Sequence, residues 1–386
     1  MPLTVLFDLD ETLLATNMRQ FLPRYFEFLS QAFSHLGSHD QIVQQTNFAV
    51  GKMLANQDPG KTLQEVFAEN FYPQLGTTEQ ACQSLIESFY RHEYPHLKPI
   101  TQFIPEASQL VAWCQATGMT MAIATNPLFP AIATRQRIDW AGLDPEDFYF
   151  YTSYNDFHFT KPHLAYYAEV LGRLGWPEHP IVMIGDNLTD DLSPMDTFGA
   201  ETFWVHHGQD HAAREGGTLS EVKPWLQQMM QSNWRGLNWH PEVNTAILHS
   251  TPAVIDTWLR AAHNTTGAAN HQPEVDQIKT MLGRLIVLEE EVYPTQFDRV
   301  PTGSQFEVPE PDASRNLNTN SEIQEQNMQE IFVRFLTARE NSLEQIKGLI
   351  EEGQANPVKQ IAQPITNLIA WMAEQDRKHL RHCVNL

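Results

Sequence analysis

The chain has 386 residues, 42% of them hydrophobic and 19% charged, enough for two or three globular domains with cores of their own. A formal net charge of −22 argues against nucleic acid or an anionic membrane surface as a partner, and no uncharged run approaches the ~20 residues of a membrane-spanning helix. The three widely spaced cysteines, Cys82, Cys114 and Cys383, make no disulfide framework, and Met1 leads straight into the first strand with no basic or apolar leader, so a cytoplasmic protein is expected.

The first element is written in LTVLFDLDETLL. An apolar, strand-like run ends at Asp8, and Asp10, Glu11 and Thr12 follow. Asp is a poor strand former and an unpaired buried carboxylate is costly, so two carboxylates two residues apart at a strand end need a chemical reason. From about Ala15 to about Lys98 the strand pattern stops. MRQFLPRYFEFLSQAFSHLG, KTLQEVFAENFYPQLG and EQACQSLIESFYRHEY predict amphipathic helices. This insertion, residues 15–98, starts just after the Asp pair and is expected to cap it. Its cations Arg19, Arg24, Lys52 and Lys61 read as surface charges, and none is placed in the site.

Strand patterns resume with MTMAIATN, FYFYTSYND, IVMIGDN and ETFWVHHG. Helical stretches lie between them, such as HLAYYAEVLGRLG, where Leu164, Ala168, Leu171 and Leu174 form one face and Gly175 a stop. The alternation predicts an α/β fold with a Rossmann-like parallel sheet, residues 1–14 and 99–231, whose ligands bind at the carboxyl ends of the strands. Asp8, Thr125 and Asp186 all fall at such ends. After about Gly208 the sheet pattern stops, and TLSEVKPWLQQMMQ predicts a closing helix. SNWRGLNWHPEVN reads as a linker, residues 232–245, and residues 246–386 as helical only. LHSTPAVIDTWLRAA, VDQIKTMLGRLIVLEEEVYPTQF, NMQEIFVRFLTARENSLEQIKGLI and ITNLIAWMAEQDRKHLRHCV predict a four-helix bundle, with PTGSQFEVPEPDASRNLNTN a loop between the second and third helices.

Four motifs carry the chemistry: DLDET, Thr125 in AIATN, Lys161 in TKPHLAYY just before a helix, and IGDNLTDD with Asp186, Asp190 and Asp191. Each alone is weak, since short Asp patterns occur by chance. In this order, and at strand ends or loops, they resemble the haloacid dehalogenase superfamily of aspartate-nucleophile phosphatases over roughly the first 225 residues. The resemblance implies that Asp8 attacks phosphorus and that Asp10 is general acid and then base. It implies Mg²⁺ held by a carboxylate oxygen of Asp8, the backbone carbonyl of Asp10 and a carboxylate oxygen of Asp186. Thr125, Asn126 and Lys161 would bind the substrate phosphate, and Thr12, Asp190 and Asp191 would support the site. Phosphoryl transfer is mostly positioning and charge neutralisation, so Mg²⁺ and Lys161 would reconcile an acidic chain with an anionic substrate.

Family members that cleave carbon–halogen bonds lack an acid at the position of Asp10, so a carboxyl there favours an oxygen leaving group. Glu11 stands where the family more often has Gly. The expected function is a Mg²⁺-dependent phosphatase acting on a small phosphorylated metabolite. The alternatives are a phosphotransferase or phosphomutase, which would need a further acid–base group from the cap, and a catalytically inert binding or scaffold protein.

In the helical region STPAVIDTWL and GRLIVLEEEV resemble the DinB-like bundle family over about 140 residues. Its members usually hold a metal with three histidines, one on the second helix and two on the last. Here those positions read Arg284, Gln375 and His379, with His382 three residues on. The expectation is a bundle without a catalytic metal, offering a surface for a homodimer or for docking.

Overall fold

Thr4, Val5, Leu6 and Phe7 are wholly buried, as expected of a strand flanked by others on both sides. In the computed structural model, which describes residues 2–206, 215–264, 272–300, 326–355 and 362–384, this strand is β1 (Thr4–Phe7). It lies between β4 (Thr120–Ile123) and β5 (Ile181–Gly185), and β6 (Glu201–Val205) and β7 (Gly216–Gly217) extend the sheet beyond β5. All five strands are parallel, in the order β4-β1-β5-β6-β7. Phe7 is in register with Ile123 on one side and Ile184 on the other. The residues that follow these three therefore leave the sheet side by side.

Two expectations for the sheet need correction. FYFYTSYND forms no regular strand. It runs beside β4, with Tyr149 N donating to Met121 O at 2.7 Å and Thr152 N to Ile123 O at 3.0 Å, but only Tyr151 makes a bridge, to Ile123. The sheet also continues past Gly208. Gly216 and Gly217 form β7, which carries no apolar pattern; a Cβ on Gly216 would lie 2.6 Å from the carbonyl oxygen of Trp204.

The insertion hangs on a two-stranded antiparallel ribbon, β2 (Leu14–Thr16) with β3 (Thr101–Phe103). Between these strands lie α1 (Met18–Ala32), α2 (His39–Leu54), α3 (Leu63–Phe71) and α4 (Glu79–Ser88). The sequence patterns named three of these helices and missed α2. Its start is a capping box in which Ser38 Oγ accepts from Gln41 N and the Gln41 side chain accepts from Ser38 N. The sheet is flanked by α5 (Pro105–Ala116), α6 (Ala131–Trp140), α7 (Leu164–Arg173), α8 (Ser193–Phe198) and α9 (Leu219–Met229).

The chain divides into two compact units, Met1–Tyr167 with Pro177–Asn238, and Ala168–Trp176 with Trp239–Leu386. The irregular aromatic stretch ends at His240, and Pro241 occupies the first helical position, where its missing N–H costs nothing. Four long helices follow: Pro241–Asn264, Gln272–Val287, Met328–Ala355 and Ala362–Cys383. The loop expected at PTGSQFEVPEPDASRNLNTN lies outside the described residues. No helix among the described residues is long and apolar enough to cross a membrane.

One buried arginine ties the four helices together. Arg339, 1% exposed, donates from Nε to Glu289 Oε1 at 2.5 Å, from NH1 and NH2 to the Asp376 carboxylate at 2.7 and 2.9 Å, and from NH1 to Leu248 O at 2.7 Å. Breaking such a network strands two buried carboxylates, a loss of about 3–5 kcal/mol. Arg339→Met is therefore expected to lower the urea midpoint of the helical transition, followed by far-UV circular dichroism. Adding Glu289→Leu and Asp376→Leu should recover most of that loss. An unchanged midpoint in Arg339→Met would contradict this account of the bundle core.

Candidate active site

Beyond the register Phe7–Ile123–Ile184 the next residues are Asp8, Ala124 and Gly185, followed on the outer two strands by Thr125 and Asp186. Asp8 N still donates to Ile184 O at 2.9 Å, and Ala124 N to Phe7 O at 2.7 Å, so the ladder fixes Asp8 up to its own backbone. The chain then turns. Leu13 N and Leu14 N both donate to Leu9 O at 2.9 Å, and Glu11 takes a φ of 64°, a left-handed conformation that glycine adopts without strain.

Asp8, Asp10, Thr125, Asn126, Lys161, Asp186, Asp190 and Asp191 all line one cavity of about 290 Å³. Thr12 does not line it; its side chain is fully buried. Lys161, 4% exposed, donates from Nζ to Asp8 Oδ1 at 2.8 Å and to Asp191 Oδ1 at 2.6 Å. Burial alone would push its ammonium pKa down, but the carboxylates of Asp191 and Asp8 outweigh burial and hold it well above the usual range. Lys161 is thus a permanent cation. The other Asp191 oxygen, Oδ2, accepts from Asn187 N at 3.0 Å.

Asp190 sits one residue earlier on the same turn. Its Oδ2 accepts from Asn187 Nδ2 at 3.0 Å, and its carbonyl accepts from the Tyr167 hydroxyl at 2.6 Å. Thr125 is held by its carbonyl, which accepts from Thr152 Oγ1 at 2.6 Å and from the Tyr166 hydroxyl at 2.7 Å. Asn126 brings a buried Oδ1 that meets no hydrogen-bond donor among the described residues.

Asp8, Asp186 and Asp191 bring carboxylate oxygens within 4.8 Å of one another. Asp186 makes no ion pair among the described residues. Burial, reinforced by Asp8 and Asp191, pushes its carboxyl up to about 8. Such crowding disfavours the ionised form unless positive charge joins it, and an all-oxygen donor set suits a hard divalent cation.

The residue that sequence reasoning missed is Arg137. It is 1% exposed and forms an ion pair with Asp10 Oδ2, while Thr16 Oγ1 donates to Asp10 Oδ1 at 2.9 Å. Its guanidinium also stacks 4.7 Å from the Phe129 ring centroid. Burial raises the Asp10 pKa, Arg137 opposes the rise, and Asp8 adds to it; the balance lies above the usual carboxylate range. The stretch RQRIDW carries little apolar periodicity to mark Arg137. Ala133, Thr134, Arg137, Ile138 and Trp140 are the buried residues of α6, so Arg137 stands on its buried face. The cap cations stay away: Arg24 pairs with Glu27 and Lys61 with Glu69, and of the described cap residues only Met18 and Leu22 line the cavity.

Comparison with known proteins agrees with this architecture. Residues 3–195, half of the chain, match the family of haloacid dehalogenase-like hydrolases. No curated protein matches. Among solved structures, a HAD phosphatase from Thermococcus onnurineus is 21% identical, covering 58% of this chain and 98% of its own, with a TM-score of 0.39. A 2-haloacid dehalogenase from Pseudomonas syringae pv. Tomato DC3000 is 20% identical, covering 59% and 99%, with a TM-score of 0.44. L-2-haloacid dehalogenase from Xanthobacter autotrophicus is 16% identical, covering 59% and 100%, with a TM-score of 0.37. With its carboxylates at the ends of a parallel sheet and half its length matched, this chain belongs to the haloacid dehalogenase-like hydrolases.

Proposed function

We propose that the chain is a Mg²⁺-dependent phosphatase that hydrolyses a small phosphate monoester through an aspartyl-phosphate on Asp8. The observation that carries this reading is the carboxyl of Asp10, two residues from the nucleophile, lining the same cavity and held by Arg137 and Thr16. Halide leaves without a proton, whereas an alkoxide needs one, and a carboxyl with a raised pKa is suited to deliver it.

In the first half-reaction an Asp8 oxygen attacks phosphorus and the ester P–O bond breaks. The departing oxygen takes the proton of Asp10. In the second half, the Asp10 carboxylate takes a proton from water, the water oxygen bonds to phosphorus, and the Asp8–phosphorus bond breaks. Inorganic phosphate leaves, and Asp8 and protonated Asp10 are restored. Lys161 holds Asp8 in line and offsets charge on the phosphoryl oxygens, with Asp191 fixing Lys161 in turn. Thr125 and Asn126 would take the remaining phosphoryl oxygens. Asp8, the Asp10 carbonyl and Asp186 would hold Mg²⁺, which when bound supplies further neutralisation of the phosphoryl charge.

The cap favours hydrolysis over transfer to a second substrate. Its contribution to the cavity among the described residues is Met18 and Leu22, neither of them an acid or base. A cavity of about 290 Å³ beneath helices also suits a small soluble phosphate.

Asp8→Asn is expected to abolish hydrolysis of p-nitrophenyl phosphate while circular dichroism stays unchanged, because the near-isosteric amide cannot attack phosphorus. Asp10→Asn should cost on the order of a hundredfold in kcat/KM on an alkyl phosphate and much less on p-nitrophenyl phosphate, whose phenolate leaves unprotonated. Equal losses on the two substrates would remove Asp10 from the acid role.

Gly185 sets up a further test. A Cβ there would lie 2.3 Å from Asp191 Oδ2, so the side chain that anchors Lys161 needs the missing methyl. Gly185→Ala should displace Asp191 and lower kcat by on the order of a hundredfold with the fold retained. Wild-type kcat in that variant would show that the placement of Lys161 does not matter.

A further inference from the structure

The helical unit has a cavity of its own, of about 350 Å³, which the proposed hydrolysis does not use. Two helices line it. Gln277 and Arg284 come from Gln272–Val287, and Gln375, Lys378, His379 and His382 from Ala362–Cys383. The spacings are those of one helix face, i to i+7 on the first helix and i, i+3, i+4, i+7 on the second. Such a stripe in a bundle ordinarily carries apolar side chains toward its neighbour. Here, beside Thr280 and the buried Met281 and Cys383, it carries amides, imidazoles and cations.

The charge of this lining runs against that of the chain. Asp and Glu number 47 against 25 Lys and Arg, yet among the described residues no Asp or Glu lines the cavity. Arg284 makes no ion pair among the described residues, and Lys378 has only an exposed pairing with Glu374 at 2.7 Å. Both imidazoles are oriented by their own helix. His379 Nδ1 lies 2.7 Å from Gln375 O and His382 Nδ1 2.6 Å from Lys378 O. A carbonyl only accepts, so each Nδ1 carries the hydrogen, and a ring in its neutral form then presents Nε2 as an acceptor. Burial lowers the His379 pKa, the contact with Gln375 O and the Asp376 carboxylate oppose it, and Arg284 and His382 act with burial; the balance is downward, toward the neutral ring.

Among the described residues the group of three carboxylate or imidazole ligand atoms within 4.8 Å is Asp8, Asp186 and Asp191, in the other unit. A fixed guanidinium at Arg284 would also repel a divalent cation.

We propose that this cavity binds a small oxyanion that also carries a hydroxyl, of the class of hydrogen phosphate. Arg284 and Lys378 donate to the charged oxygens, and the O–H donates to Nε2 of His379 or His382, with Gln277 and Gln375 in the same lining. This goes beyond the hydrolytic reading and does not depend on it.

The test is isothermal titration calorimetry of the full-length, EDTA-treated protein with inorganic phosphate and, separately, with malonate. Arg284 is exposed, so Arg284→Glu should fold normally and keep wild-type kcat/KM on p-nitrophenyl phosphate. Wild type should bind phosphate more tightly than malonate, which has no hydroxyl. Arg284→Glu should weaken phosphate binding by about tenfold or more. His379→Gln should weaken phosphate more than malonate. Any phosphate taken at the Asp8 cavity contributes equally to wild type and Arg284→Glu. Identical titrations for those two proteins would overturn the proposal, as would tighter binding of malonate than of phosphate. Near-stoichiometric zinc in untagged wild type, lost on His379→Ala, would also overturn it.

Discussion

Three carboxylates meet at the carboxyl edge of the sheet with oxygens within 4.8 Å of one another, and charge of one sign cannot be gathered there unless charge of the other sign meets it. Lys161 supplies that charge, bonded to Asp8 on one side and Asp191 on the other. Several features of the surrounding structure follow from this requirement. The parallel register brings Asp8 and Asp186 out of adjacent strands together. The bare Cα of Gly185 lets Asp191 approach closely enough to reach the lysine. Asp186 makes no ion pair among the described residues, and burial, with Asp8 and Asp191 beside it, pushes its carboxyl up to about 8.

The same constraint recurs at other buried acids among the described residues. Asp10 meets Arg137, Glu289 and Asp376 share Arg339, and Glu169 pairs with Arg173 at 2.6 Å. In a chain of net charge −22, buried arginines are placed where desolvated carboxylates would otherwise be stranded. The consequences differ with the neighbourhood. Around Arg339 four of the five N–H donors meet two acids and a backbone carbonyl within a packed core, and the result is structural. Beside Arg137 the acid also borders a cavity, so the same kind of pair can hold a group that exchanges protons.

Much of this was legible in the sequence, because it is local. A strand that ends in Asp, a strand that ends in Ala-Thr-Asn and a strand that ends in Gly-Asp announce their carboxyl ends directly, and a parallel sheet then has to bring those ends together. Arg137 was not legible in that way, since it reaches Asp10 across 127 residues through tertiary packing and had only its place on the buried face of α6 to mark it. Helix α2 was overlooked because its face holds Thr46 and Ala49 beside Ile42 and Met53, a weak apolar signal. The Gly216–Gly217 strand has no side chains to form a pattern at all. Tyr149–Thr152 reads as a strand from its aromatic residues, yet contributes a single bridge. Glu11 reads as an ordinary acid, and only its φ of 64° shows why glycine suits that position. In the bundle, Arg284, Gln375 and His379 line one cavity, whose lining became apparent only once both helices faced it.

The central claim is that phosphorus passes through a covalent bond to Asp8. It is tested most directly by acid-quenching Asp10→Asn during turnover of p-nitrophenyl phosphate with Mg²⁺ and mapping the phosphoryl adduct by peptide mass spectrometry. In that variant the first half-reaction needs no acid, while the second lacks its base, so the intermediate should accumulate. The account predicts a phosphoryl group on the peptide that begins the chain, at Asp8. Turnover with no adduct at Asp8, or with the adduct on another residue, would contradict it.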